Sequence, residues 1–246
     1  PHIDSMALNG VKFTDYYCPA PVCSPSRAGL LTGTYPARLG FGGLALYPGI
    51  PQGLNPNEVT IAEMLKTMGY TTACVGKWHV GGNKMTTQDK ELLVYHPLRN
   101  GFDSFYGFYS NGTWVTPLVR EYTEVGPTDS SKITNQLTVE AVSVIKANKS
   151  KPFFMYMNHF MPHTPIGASL LFVGTSTIGI YGDAVHEVDW SVGQILKTLK
   201  EEGIENNTLI IFTSDNGPAA SGSGSAYPLR GGKFDALEGG QRVPCV

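Results

Sequence analysis

Helical periodicity and short apolar runs alternate along this chain. Over residues 60–68, Ile61, Met64, Leu65 and Met68 recur at helical spacing behind a Thr60-x-x-Glu63 capping box, and Gly69 supplies the stop. Residues 71–75, Thr-Thr-Ala-Cys-Val, then read as a strand leading into Gly76-Lys77-Trp78-His79. A second helix is predicted over 133–147, with Ile133, Leu137, Ala141, Val144 and Ile145 on one face. Pro152 breaks it ahead of a buried-type strand over 153–157, which ends in Asn158-His159-Phe160-Met161-Pro162-His163-Thr164-Pro165. The third helix, 182–202, is expected to turn Val185, Val188, Val192, Ile195, Leu196 and Leu199 inward and to close at Gly203. A strand over 209–213 follows it, then Ser214-Asp215-Asn216-Gly217.

Three helix-then-strand units in order predict an α/β fold, a largely parallel or mixed sheet with helices on both faces. Ligand sites in such sheets lie beyond the carboxyl ends of the strands. Lys77, His79, His159, His163, Asp215 and Asn216 all fall there, so one shared cleft is expected. Residues 40–54, 81–100 and 114–127 read as connecting loops, the places where substrate specificity would reside.

Composition narrows the picture. The chain has 246 residues, 41% hydrophobic and 15% charged, enough for one large core. A net charge of −2 gives no electrostatic case for nucleic acid or an anionic membrane. No apolar run reaches the roughly 18 residues needed to span a bilayer. Cysteines 18, 23, 74 and 245 have no metal-ligand spacing and are too few for a disulfide scaffold. Sequons at Asn111, Asn148 and Asn206 exceed the about one expected at average composition, which points weakly toward a secretory route and a glycoprotein.

The chemistry concentrates at Cys23-Ser24-Pro25-Ser26-Arg27, followed by Ala28-Gly29-Leu30-Leu31-Thr32-Gly33. Flanking prolines stiffen the approach to Cys23, and a helix starting near Ser26 would put Cys23 and Arg27 at its N-terminus, where backbone N–H groups favour anions. Such surroundings suit a phosphate or sulfate ester. A cysteine of this kind is otherwise a buried structural residue in a turn. A thiol phosphatase loop needs Arg six positions after its Cys, and neither Cys18 nor Cys23 has one. Taken singly, Gly-Lys-Trp-His, Ser-Asp-Asn-Gly, Pro-His-Thr-Pro and the Lys233 loop are ordinary turns. Their joint order is not ordinary.

Together with Glu238-Gly239-Gly240, these segments resemble the sulfatase family in content and order, most of all the arylsulfatase A and N-acetylgalactosamine-6-sulfatase group. The resemblance implies an alkaline-phosphatase-like sulfatase fold and a sulfuric ester hydrolase. Cys23 is implied to be oxidised to formylglycine by a formylglycine-generating enzyme during maturation. Its hydrate would attack a sulfated small molecule or glycan. Arg27 and Lys77 are implied to hold the hydrate, His79 to bond it and help expel sulfate, and His163 and Lys233 to face the sulfate ester. Asp215, Asn216 and the modified Cys23 are implied ligands of a divalent cation, Ca²⁺ in this family. Ser110 falls where relatives contact sulfate, and His159 is a candidate cleft residue. A lysosomal or exported location follows, periplasmic in a bacterium.

One departure stands out. Relatives carry two adjacent Asp residues on a first strand upstream of a segment like Pro1-His2-Ile3-Asp4, and a smaller C-terminal domain. Residues 1–246 are therefore expected to be a truncated N-terminal catalytic domain with a weak cation site and little activity of its own. Two other readings remain: a phosphatase or phosphodiesterase of the alkaline-phosphatase group, disfavoured by Asp215-Asn216 and by Cys at the nucleophile position, and a non-catalytic glycan-binding relative, disfavoured by the intact set of site residues.

Overall fold

A computed structural model describes residues 1–42, 45–46, 50–81, 93–109, 116–220 and 224–246. In chain order its elements are α1 (His2–Asn9), α2 (Cys23–Thr32), α3 (Ile61–Thr67), β1 (Thr71–Lys77), β2 (Ser104–Phe108), β3 (Thr116–Arg120), β4 (Thr123–Thr128), α4 (Ile133–Asn148), β5 (Phe153–Asn158), α5 (Ile180–Glu201) and α6 (Glu238–Gln241). The chain divides into two compact units, residues 1–45 with 209–246, and residues 46–208.

The second unit is built on a five-stranded mixed sheet of order β4-β3-β2-β1-β5. Central β1 pairs in parallel with β2 on one side and β5 on the other, so all three strands end on the same edge. Strands β2, β3 and β4 pair antiparallel. Helix α4 packs across β1, β2 and β5, and α5 packs on α4. Trp78, Phe102, Phe105, Phe108, Leu118, Ile133, Leu137 and Ile145 form the buried interior of this unit. The indole of Trp78 donates to Tyr95 O at 2.8 Å and meets the edge of Phe102 with ring centroids 5.8 Å apart. That anchor fixes the chain as it leaves β1.

Three expectations change in this unit. The apolar stripe of α3 is not its packing face, because Ile61, Met64 and Met68 are exposed and only Ala62 is buried. The helix is held instead by polar contacts at its start: the Thr60–Glu63 capping box forms both bonds, and Thr60 Oγ1 donates to Asn100 O at 3.0 Å. On α5, Val188, Val192 and Leu199 are buried as expected but Val185 is exposed, while Asp183 and Glu187 are buried. Those carboxylates clamp the preceding loop. Glu187 accepts from Ser169 N, and Asp183 accepts from Gly174 N and Ser176 N, at 2.8–2.9 Å. Finally, much of the stretch expected as loop 114–127 is the β3–β4 hairpin. Its two-residue turn uses Glu121 at φ +54 rather than the Asn-Gly pair that marks such turns in a sequence.

The first unit holds α1, α2 and α6. Residues 209–213, expected as the third strand of the sheet, are here an extended segment paired at one end only. Phe212 and Val246 exchange backbone hydrogen bonds of 2.9 and 3.0 Å, and Thr213 bridges Cys245. Leu209 and Ile211 project into solvent, at 86% and 64% exposure. Consecutive pairing is what makes a strand, and this segment has it only near Phe212.

Two features of the second unit give measurable consequences. Gly76 sits at φ +103 in β1, and a Cβ there would lie 1.9 Å from Asn158 O. Gly76→Ala is expected to cost about 2–4 kcal/mol in chemical denaturation, and an unchanged midpoint would show that the β1–β5 contact tolerates a side chain. His96 is fully buried, with Nδ1 accepting from Leu98 N at 3.1 Å and Nε2 donating to Glu121 O at 2.8 Å. Burial lowers its pKa from 6.5 to about 4. The folded state therefore resists a proton that the unfolded chain accepts, so stability is complete above pH 6.5 and declines as pH falls toward 4. The loss from this residue is on the order of 1–3 kcal/mol. The pH dependence of unfolding for His96→Gln should be flatter than that of the parent by that amount, and coincident profiles would contradict the assignment.

Candidate functional site

The first unit assembles four of the sequence motifs. Helix α2 begins at Cys23, three residues earlier than expected. Pro25 falls in its first turn, where a missing N–H forfeits no intrahelical bond. Val22 enters extended at φ −155, no side chain caps the helix, and Gly33 ends it in the left-handed conformation. Cys23 is a buried free thiol packed with Val22 and Ala45. Cys18 is also a free thiol, but burial raises its pKa to about 11, which makes it a poor nucleophile.

One turn along α2 from Cys23, Arg27 pairs with the Ser214-Asp215-Asn216-Gly217 turn. Arg27, with a side chain 7% exposed, donates through Nε and Nη2 to Asp215 Oδ2 at 2.9 and 2.8 Å. The Ser214-Asp215-Asn216-Gly217 turn is stabilised internally, with Ser214 Oγ donating to Asn216 O and Asn216 Nδ2 to Gly217 O, both at 2.9 Å. Backbone bonds join it to the remaining motifs. Gly217 N donates to Gly240 O at 2.9 Å, Lys233 N to Pro218 O at 2.8 Å, and Phe234 N to Pro21 O at 2.9 Å. A Cβ on Gly217 would stand 1.8 Å from Gly239 O, so glycine is required at that approach. The segments carrying Cys23, Asp215, Asn216 and Lys233 are thus pinned to one another.

Asn216 Oδ1 is buried and has no hydrogen-bond partner. A hard divalent cation takes such an oxygen together with a carboxylate, so Asp215 and Asn216 fit the chemistry of a Ca²⁺ ligand pair. Among the described residues no group of three or more His, Cys, Asp or Glu side chains is placed to hold a metal ion.

The second unit gathers the other candidates on the edge where its parallel strands end. Lys77 is the last residue of β1 and is 2% exposed, unlike the solvated lysine that an isolated turn would carry. His79 is fully buried at φ +58, and its Nε2–H donates to Leu46 O at 2.8 Å. Trp78 N and His79 N continue the pairing by donating to Phe108 O and Tyr109 O. Beyond β5, His159 has a buried Nδ1 with no partner, and burial lowers its pKa to about 4, so the ring is neutral at physiological pH. His163 is half-buried, with Nδ1–H donating to Thr164 O at 2.7 Å and its ring 5.4 Å from that of Phe160. Ser110 lies outside the described residues.

Two residues escaped the sequence reading. Asn158, at the end of β5, is buried with its Nδ2 unpartnered. Phe234 follows Lys233 in a left-handed conformation at φ +77. The only sequence signal for the first is its position at a strand's carboxyl end. For the second it is an aromatic residue in a run otherwise rich in glycine.

The profile of the sulfatase family, described as Sulfatase, matches residues 1–246. Steryl-sulfatase of Rattus norvegicus is 35% identical over 332 aligned residues, covering 99% of this chain and 57% of that protein. N-acetylgalactosamine-6-sulfatase of Mus musculus is 38% identical over 277 residues, covering 100% of this chain and 52% of that protein. The chain therefore spans about half the length of these curated relatives. Among solved structures, that of Ps i-CgsB superposes with a TM-score of 0.88 at 33% identity, covering 100% of this chain and 59% of that one. The phosphonate monoester hydrolase of Agrobacterium radiobacter, at a TM-score of 0.64 and 21% identity over 100% of this chain and 62% of that one, shares the fold alone. The mixed sheet with its helices is thus the alkaline-phosphatase-like sulfatase fold, and with the family profile spanning every residue, the chain belongs to the sulfatase family.

Proposed function

We propose that this chain is the catalytic domain of a sulfuric ester hydrolase that cleaves a sulfate monoester of a small molecule or glycan. The observation that supports this most strongly is the arrangement in the first unit: a cysteine opening a helix, an arginine one turn later paired to Asp215, and Asn216 offering a buried oxygen without a partner. Maturation of Cys23 to formylglycine would supply an oxygen nucleophile, and a divalent cation held by Asp215 and Asn216 would supply positive charge beside it.

The remaining chemistry belongs to the chain's own side chains. A sulfate monoester needs a nucleophile in line and charge spread over its equatorial oxygens, much as phosphoryl transfer does. Arg27 and Lys77 are both buried, so charge carried on them is little screened by water. Both are assigned to holding the nucleophilic oxygen and the charge that develops on it. His79, oriented by its bond to Leu46 O, takes the hydroxyl proton whose removal lets sulfate depart. In His163 the Nδ1–H bond to Thr164 O sets the ring's orientation for proton delivery to the leaving alcohol oxygen, and Lys233 screens charge on that oxygen. Ser110 is assigned to contact sulfate. Maturation by a formylglycine-generating enzyme and a lysosomal or exported location complete the proposal.

The test is hydrolysis of 4-nitrophenyl sulfate by residues 1–246 extended upstream with the paired Asp segment that relatives carry, expressed in a host that makes the modification. Turnover is expected, sensitive to chelators, and Cys23→Ala should lower it by at least about 10³-fold. Equal turnover by Cys23→Ala, or none by protein shown to carry the aldehyde, would overturn the proposal.

A further inference from the structure

Three non-glycine residues among those described have positive φ: His79, Glu121 and Phe234. Glu121 is accounted for by the tight β3–β4 turn, and His79 is locked in a fully buried environment. Phe234 is the third residue of a hydrogen-bonded turn in which Asp235 N donates to Gly232 O at 2.9 Å; the turn sets the positive φ but is best served there by glycine, so it does not account for a phenylalanine. At φ +77 an L-residue with a bulky side chain costs on the order of 1–2 kcal/mol that glycine would not incur. Burial does not offset this, because Phe234 is 56% exposed. Backbone hydrogen bonding does not select the side chain either, since the bond from Phe234 N to Pro21 O at 2.9 Å would form with any residue but proline.

What the side chain does contribute is a ring beneath the Lys233 ammonium, whose Nζ lies 5.6 Å from the ring centroid. That is within the range of a cation–π attraction. Lysine is a flexible four-carbon stem, and its ammonium otherwise samples many positions at a cost in rotamer entropy when one is required. A ring fixed by the left-handed backbone next to it narrows that distribution. The backbone of the same residue is tied to Pro21, two positions before Cys23, so the ring's placement is referred to the segment that carries the nucleophile.

We propose that Phe234 is a positioning residue for Lys233, retained at a strained backbone position because its ring holds the lysine ammonium where the sulfate ester is bound. This rests on the sulfatase reading, in which Lys233 faces that ester. Strain of this sort, kept where packing does not require it, concentrates at functional sites.

The proposal separates stability from activity, which a merely structural role would not do. Phe234→Gly relieves the backbone and removes the ring: its thermal midpoint should rise while kcat/KM for 4-nitrophenyl sulfate falls roughly two- to fivefold. Phe234→Leu keeps the strain without the ring and should lose the same activity with no gain in midpoint. Phe234→Tyr should restore the parent value. Inorganic sulfate binding, measured by calorimetry on the same proteins, provides a readout independent of turnover and should weaken by a similar factor in the Gly and Leu variants. Parent protein without turnover but with this pattern of sulfate binding would count against the hydrolase reading alone. Unchanged kcat/KM and sulfate binding in Phe234→Gly, or a midpoint that falls together with activity, would overturn the role given to Phe234.

Discussion

An arginine cannot shed its charge, so one buried to 7% exposure must be answered by a partner or the structure around it fails. Arg27 is answered by Asp215, a residue 188 positions away in the chain. Two N–H groups on one carboxylate oxygen fix the guanidinium in direction as well as place. The pairing sets one turn of α2 against the Ser-Asp-Asn-Gly turn, and everything else in the first unit's site is hung from those two pieces. Removing either partner would strand the other, so the pair specifies the arrangement even where its net contribution to stability is small. It also orients Asp215 beside Asn216, whose buried side-chain oxygen the protein itself does not satisfy.

The second unit reaches its part of the chemistry by a different route. Three parallel strands ending on one edge bring Lys77, Asn158 and Phe108 level with one another. The close approach of β1 to β5 at Gly76 leaves no room for a side chain one residue before Lys77. Trp78, buried beside it, turns the chain so that His79 can adopt its left-handed conformation and bond Leu46 O. Burial keeps His96 and His159 neutral, with no acidic neighbour among the described residues to hold a proton on either.

Much of this was legible in the sequence, and the exceptions share a cause. The helices α4 and α5 lie within two residues of their predicted bounds, and β1 and β5 begin where predicted, because apolar periodicity and Gly or Pro punctuation both mark them. The capping box at Thr60 formed as its spacing required. What periodicity misread is the identity of buried faces. It assigned Met64 and Met68 to a core that α3 does not enter, and it passed over Asp183 and Glu187, which are buried because a loop needs their acceptors. The strand expected over 209–213 has the right composition but pairs at one end only, and composition does not report pairing. Among site residues, the motifs identified those whose chemistry is tied to order in the chain. The Arg27–Asp215 pair, the orphaned Asn216 oxygen and the conformation of Phe234 are relations in space that no spacing in the sequence encodes.

The central claim is that Cys23 is matured to the nucleophile of a sulfatase. The most direct measurement is the mass of the tryptic peptide 13–27, which runs from Phe13 to Arg27, from protein made in its native host, with an aldehyde-trapping reagent as a second probe. The account predicts a peptide lighter by the difference between a thiol side chain and an aldehyde, and reactive toward the trap. An unmodified, alkylatable thiol at Cys23, in a host able to carry out the modification, would contradict it.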